Sequence, residues 1–282
     1  MINDTIAWLL DPAHWTGPDG VPTRTWEHLW YSGISLLIAS VIAVPAGLLI
    51  GHTGRGRVVA VNLAGAARAV PSLGLLFIMV LFLGPRLSGD AASLWPSLIV
   101  LIVLAIPPIL SGAYAGVEGV DPAARDAARG MGMTGWEVLS RVEVPCALPL
   151  IFSGLRSAAL QVVATATIAA IVGIGGLGRL LIDGQAIRDF PQMVSGALLV
   201  AVLALLVDLV LAGVQRYAVS PGLTGRGTTR GGDRAASGAG GATDAGGIPS
   251  RDGTPGGDGI PGREKGLAVR REAGETEPQH HS

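Results

Sequence analysis

Three charged side chains interrupt otherwise apolar stretches of this 282-residue chain: Arg68, Arg156 and Asp208. An ionised group at bilayer depth is costly unless it faces the interior of a helix bundle and meets a partner. Counting a rise of about 1.5 Å per helical residue puts Arg68 and Arg156 roughly 15 Å deep and Asp208 roughly 10 Å deep. Asp208 is therefore expected to neutralise Arg156 or Arg68 and hold helices together, against the simpler reading that the arginines snorkel to the interface. Catalytic chemistry has little support. Cys146 is the only cysteine, which excludes an intrachain disulfide and a cysteine-based zinc site. His14, His28 and His52 are scattered, and His280-His281 read as incidental. The run Gly173-x-Gly-Gly-x-Gly is superficially phosphate-like, but it follows an apolar stretch rather than a strand, so it reads as a flexible external turn. A membrane enzyme is accordingly disfavoured.

The most informative polar stretch is Gly119–Pro149, the longest charged segment between two strongly apolar ones. Asp121 followed by Pro122 is a helix start, with an N-cap carboxylate and a proline where the missing N–H costs nothing. The helix it opens carries Ala123, Ala124, Ala127 and Ala128 on one flank and Arg125, Asp126 and Arg129 on the other. Gly130 and Gly132 can end it in a left-handed conformation. Thr134 and Glu137 then form a capping box that starts a second helix, whose apolar stripe of Val138, Leu139 and Val142 runs up to Pro145. Alanines leave a surface that another protein can approach closely, and the charges beside them can fix register. Such a helix-turn-helix knob suits mechanical coupling; a solvated amphipathic loop is the bland alternative.

The body that holds this segment must be a membrane protein. Nearly half the residues, 49%, are hydrophobic and only 15% are charged, which no ordinary soluble domain needs. With a formal net charge of −1 and no basic run, nucleic acid is not an expected partner. MINDTIAWLL begins with an acid and has too short an apolar run for a signal peptide. A short amphipathic helix over Asn3 to Leu10 would lie at a membrane surface. Trp26, Trp30 and Tyr31 form an aromatic belt ahead of a first span, Gly33 to Gly51. A second, broken span covers Val58 to Gly84, interrupted at Arg68 and Pro71. A third runs from Leu94 to Val117, a fourth from Pro145 to Val172 with Arg156, and a fifth from Met193 to Gln215 with Asp208. A glycine-rich connector, Gly173 to Gln192, joins the last two. Beyond Ser220 the composition can bury no core. The basic residues Arg55, Arg57, Arg125, Arg129, Arg141 and Arg216 fall on one side of a five-span chain, which places that side in the cytoplasm and the N-terminus outside.

The charged segment resembles the cytoplasmic signature loop of ABC-importer permeases: Glu-Ala-Ala, three residues, Gly, nine residues, Ile-x-Leu-Pro. Here it stands as Asp126-Ala127-Ala128, Gly132 and Val142-Glu143-Val144-Pro145, with both spacings met. Asp replaces Glu, and Val replaces Ile and Leu. Longer stretches, TWEHLWYS, RAVPSLGLLFIMVLFLG, GVDPAARDAARGMGMT and TATIAAIVGIGGLGRLLIDG, are similar to the permeases of osmoprotectant importers. The resemblance spans roughly Thr25 to Arg216.

It implies an all-α membrane protein of the type I ABC importer permease fold, with about five transmembrane helices, or six if the second is split at Pro71. Residues 1–28 would be an extracytoplasmic segment, 29–217 the membrane domain with a coupling loop at 118–145, and 218–282 a disordered cytoplasmic tail. Ala124, Asp126, Ala127, Ala128, Gly132, Val142 and Pro145 would form the ATPase-coupling loop. The implied partners are a cytoplasmic P-loop ATPase dimer, a second permease, identical or paralogous, an extracytoplasmic substrate-binding protein and membrane lipid. The implied substrates are glycine betaine, choline and carnitine. No Walker A sequence is present, so this chain needs no cofactor and ATP belongs to the partner subunit. An aromatic cage suits a quaternary ammonium; in so aromatic-poor a chain, selection falls to the binding protein and the permease offers a weaker, transient path. A methionine-type amino-acid permease and, in another class, a secondary transporter are the alternatives.

Overall fold

The computed structural model describes residues 2–58, 62, 65 and 70–219. Arg68, the first half of the expected second span and the tail from 220 onward lie outside the described residues. All regular structure among the described residues is helical. In chain order the α-helices are α1 Ile2–Leu10, α2 Val21–Thr53, α3 Ser72–Leu83, α4 Ala91–Glu118, α5 Pro122–Gly130, α6 Gly135–Val138, α7 Val144–Ala169, α8 Gly178–Ile187 and α9 Phe190–Ala218. Among the described residues four stretches are long and apolar enough to cross a membrane: Val21–Thr53, Ala91–Glu118, Gly135–Val172 and Phe190–Ala218. The fifth apolar helical stretch, Ser72–Arg86, is shorter. It starts immediately after Pro71, which is its N-cap.

Three boundaries differ most from those read in the sequence. The first helix begins at Val21, well before the uncharged run at Gly33, because Pro22 in its first turn opens it and nothing between them breaks it. At 33 residues it reaches about 50 Å, so its first turns, with Arg24 and Glu27, extend past a hydrocarbon core of about 30 Å. The second helix of the charged segment does not stop at Pro145. It runs on as one 38-residue helical stretch, Gly135–Val172. The connector after Val172 is not all turn, since it contains α8.

The core is built from α2, α4 and α7. Ala39, Ala43, Leu101, Ala105, Ile109, Leu110, Ala158, Val162 and Ala166 form one buried cluster. In lipid the surrounding chains are as apolar as the side chains, so close contact of small residues does the work that burial does in water. At Gly112 an added Cβ would lie 2.6 Å from the carbonyl oxygen of Leu150 and 2.9 Å from the Cα of Gly154. On the other side of α4, an added Cβ at Gly47 would lie 2.7 Å from that of Ala113. The three helices therefore touch backbone to backbone.

By contrast α9 buries only Ser195, Gly196 and Leu203. It rests on α1 and α8 through a cluster of Trp8, Val21, Leu177, Leu180 and Leu203. α1 turns Trp8 into that cluster and leaves Ile2, Ile6 and Leu10 exposed.

Candidate functional site

The helix start at Asp121 is as its residues dictate: the carboxylate accepts from the Ala123 N–H at 2.9 Å, with Pro122 in the first turn. α5 ends at Gly130, and two residues on the chain turns at Gly132, whose φ of +86° lies in the left-handed region. The capping box is closed from both sides, Thr134 N–H to Glu137 Oε2 at 2.9 Å and Glu137 N–H to Thr134 Oγ1 at 3.4 Å. These local bonds fix a short helix across the end of the bundle without much packing.

Its faces differ from the simple division into alanine and charged flanks. Ala123, Ala124, Asp126 and Ala127 are exposed, but Ala128 is buried. Arg125, expected on the polar flank, turns inward. Its Nε lies 2.9 Å from Oε1 of Glu143, which is only 1% exposed, and its Nη2 donates to the carbonyl of Val117. The Nε contact is an ion pair whose N–H is not aimed for a hydrogen bond. The other carboxylate oxygen of Glu143 lies 2.6 Å from His52 Nδ1. Glu143 thus joins the last turn of α2, the knob helix α5 and the base of α7.

A lone buried carboxylate costs several kcal/mol, of order 3–5 when a partner is removed; here both oxygens are engaged. Sequence reasoning passed over Glu143 because it occupies the unspecified position between Val142 and Val144. The available signal was a charge flanked by apolar residues at the entry to a span.

Glu143 is aimed inward by an unusual turn. Leu139–Glu143 is π-helical, and the Val144 N–H reaches back to Leu139. Pro145 follows at once. In an ordinary helix its ring would crowd the carbonyl four residues earlier and leave a bond unmade, and a wider turn relieves that conflict. Val142 and Pro145 are half-buried at this joint. Met131 and Trp136, which sequence reasoning did not single out, stand out beside the knob, 72% and 71% exposed.

Deeper in the bundle, Arg156 on α7 meets Asp208 on α9 in a bidentate pair, Nε to Oδ1 at 2.8 Å and Nη2 to Oδ2 at 2.7 Å. Parallel N–H donors matched to a carboxylate make this the strong geometry for such a pair. Gln215 adds a second link, donating to the Pro149 carbonyl at 3.3 Å.

At the far end of the bundle, Arg24, Arg179, Asp19 and Asp183 help to line a cavity of about 440 Å³ beneath Trp8 and His14. Their charges are paired, Arg24 with Asp19 and Arg179 with Asp183 at 2.7 Å. Among the described residues no group of three or more His, Cys, Asp or Glu could hold a metal ion.

Apolar helices of spanning length, joined by a capped helical knob that is tied to two of them through Glu143, are the architecture of a multi-pass membrane protein. The chain belongs to the family of binding-protein-dependent transport system inner membrane components, which it matches over residues 43–221. Among its relatives, the osmoprotectant import permease protein OsmW of Salmonella typhimurium is 34% identical over 216 residues, 75% of this chain and 95% of that protein. The glycine betaine/carnitine/choline transport system permease protein OpuCB of Bacillus subtilis is 32% identical, covering 72% of this chain and 90% of its own. The fold is that of type I ABC importer permeases. An inward-facing structure of the MetNI methionine ABC transporter superposes with a TM-score of 0.65 at 22% identity, over 74% of this chain and 99% of that one.

Proposed function

We propose that this chain is the permease subunit of an ATP-driven importer for quaternary ammonium osmoprotectants such as glycine betaine, choline and carnitine. The substrate class comes from the relatives named above. The observation that carries the mechanism is α5: an exposed surface of Ala123, Ala124, Asp126 and Ala127 fixed to two spans through the Arg125, His52 and Glu143 cluster. A helix held this way moves with the bundle when it is pushed. Asp126, Ala127 and Gly132 belong to the docking element, with Val142 and Pro145 at the joint that passes its motion to α7.

The loop faces the cytoplasm, where Arg55, Arg57, Arg125, Arg129, Arg141 and Arg216 gather by the positive-inside rule, and residues 1–28 lie outside. The tail from 218 is cytoplasmic. Two cytoplasmic P-loop ATPases close on ATP, each carrying a docked knob. Two permease chains, identical or paralogous, then rock between inward-open and outward-open forms. An extracytoplasmic binding protein delivers the solute.

The test is uptake into proteoliposomes holding this chain with its ATPase and binding protein. Betaine or choline uptake that needs ATP and stops with vanadate supports the reading. Uptake driven by an ion gradient without ATP refutes the mechanism, and methionine uptake in place of betaine refutes the substrate.

A further inference from the structure

At the end of α2 opposite the knob, Trp26 and Trp30 stand one helical turn apart and remain 68% and 57% exposed. With Glu27 and Tyr31 they line a cavity of about 430 Å³. The rise from Trp30 to His52 is about 33 Å at 1.5 Å per residue, close to the thickness of the hydrocarbon core, so the cavity opens at the membrane surface. An interfacial belt accounts for tryptophans at a span end. It does not account for a carboxylate fixed among them.

Glu27 is fixed by the glycine run. Its Oε2 accepts the Gly176 N–H at 2.8 Å and the Arg24 Nη1–H at 3.0 Å. A Cβ on Gly175 would lie 2.2 Å from that same oxygen, and Gly176 has a φ of +96° and sits against His28. Only a chain without side chains at 175 and 176 can bring its backbone N–H to this carboxylate. The run read above as a flexible turn thus has a positioning task.

We propose that Trp26, Glu27, Trp30 and Tyr31 form a low-affinity cradle for a quaternary ammonium group. Such a group has no N–H to donate, and it is held by aromatic rings and nearby negative charge; three aromatic side chains and the Arg24-paired carboxylate of Glu27 line this cavity. The proposal deepens the substrate reading above and rests on it for the solute. The same chemistry would accept the choline headgroup of a lipid. The site is open on one side and built from a single helix, so its affinity is millimolar rather than micromolar.

Saturation-transfer NMR on the full-length chain in nanodiscs of phosphatidylglycerol reads the N-methyl protons of choline and glycine betaine directly. Empty nanodiscs and the uncharged carbon isostere 3,3-dimethylbutan-1-ol are the controls. Saturation of the N-methyl signal is expected, with a loss of about fivefold in Trp30→Leu and in Trp26→Leu, the scale of one exposed cation–π contact. Both tryptophans are exposed, so these variants keep the fold. Glu27→Gln should act in the same direction. Equal saturation by the isostere, an unchanged signal in both tryptophan variants, or no signal above empty nanodiscs overturns the cradle. Adding phosphatidylcholine separates the sources: suppression of the choline signal identifies the lipid headgroup as an occupant, and its persistence identifies the free solute. Uptake by the assembled importer keeps the two proposals apart. A cradle signal without betaine uptake removes the substrate reading, whereas uptake without a cradle signal removes only the cradle.

Discussion

Oε2 of Glu143 lies 2.6 Å from Nδ1 of His52, across the joint where α2 ends and the helix leaving the knob begins. Oε1 of the same residue faces Arg125 of α5 at 2.9 Å. Removing Arg125 alone, as Arg125→Met, leaves a buried carboxylate short of its strongest partner. A loss of about 3–5 kcal/mol is expected, read as a lower unfolding midpoint of the assembled complex. The double variant Arg125→Met/Glu143→Leu should recover part of it. Equal stability of wild type and Arg125→Met would show that the pair holds nothing.

Gly132 has a φ of +86° with open space around its Cα, so a substitution there is resisted by backbone strain and not by crowding. Gly132→Val should cost about 1–2 kcal/mol locally and tilt the knob while the spans stay folded. ATP-driven uptake is expected to fall well below ATP hydrolysis by the same complex. If uptake and hydrolysis both stay at wild-type levels, the turn does not position the knob.

For the pair between α7 and α9, neutralising one side strands the other charge among apolar helices. Arg156→Met and Asp208→Asn should each lower the yield of folded, membrane-extracted protein several-fold. The exchanged variant Arg156→Asp/Asp208→Arg should restore some of it. Protein levels indifferent to both single changes would count against a structural pair.

The contact between Gly112 and Gly154 leaves no room for a side chain. Gly112→Leu must push α4 from α7, at about 1–3 kcal/mol by the usual cost of overpacking. Gly213, with nothing within 4 Å of an added Cβ, is the matched control. Gly213→Leu should leave the unfolding midpoint unchanged, and a midpoint equal for both would rule out the close backbone approach.

Much of the knob was legible because its signals are local. Asp121-Pro122, Gly132 and the Thr134–Glu137 box each act within one turn of chain, and the apolar runs marked the helices that follow. Arg125 was grouped with Asp126 and Arg129 on the polar flank because helical spacing says which residues share a face but not which face meets the bundle. That was decided by Glu143, a distant residue in sequence. The early start of α2 was missed because apolar content marks what lipid covers, whereas a helix continues until something breaks it. Helix α8 was hidden by flanking glycines, whose role is close packing: at Gly178 an added Cβ would lie 2.2 Å from the Thr167 carbonyl oxygen. The bond from the Gly176 N–H to Glu27 could not be read from the sequence, because it joins residues 149 positions apart.

The wide turn at Leu139–Glu143 holds one residue more than an ordinary helix would use over the same rise. Drawing that surplus residue into regular register would screw everything before it through about 100° about the axis of α7 and shift it about 1.5 Å along that axis. In the coupling proposed above, the motion of the knob would enter α7 at this turn. A small displacement of the knob can there become a rotation of the wall it is joined to.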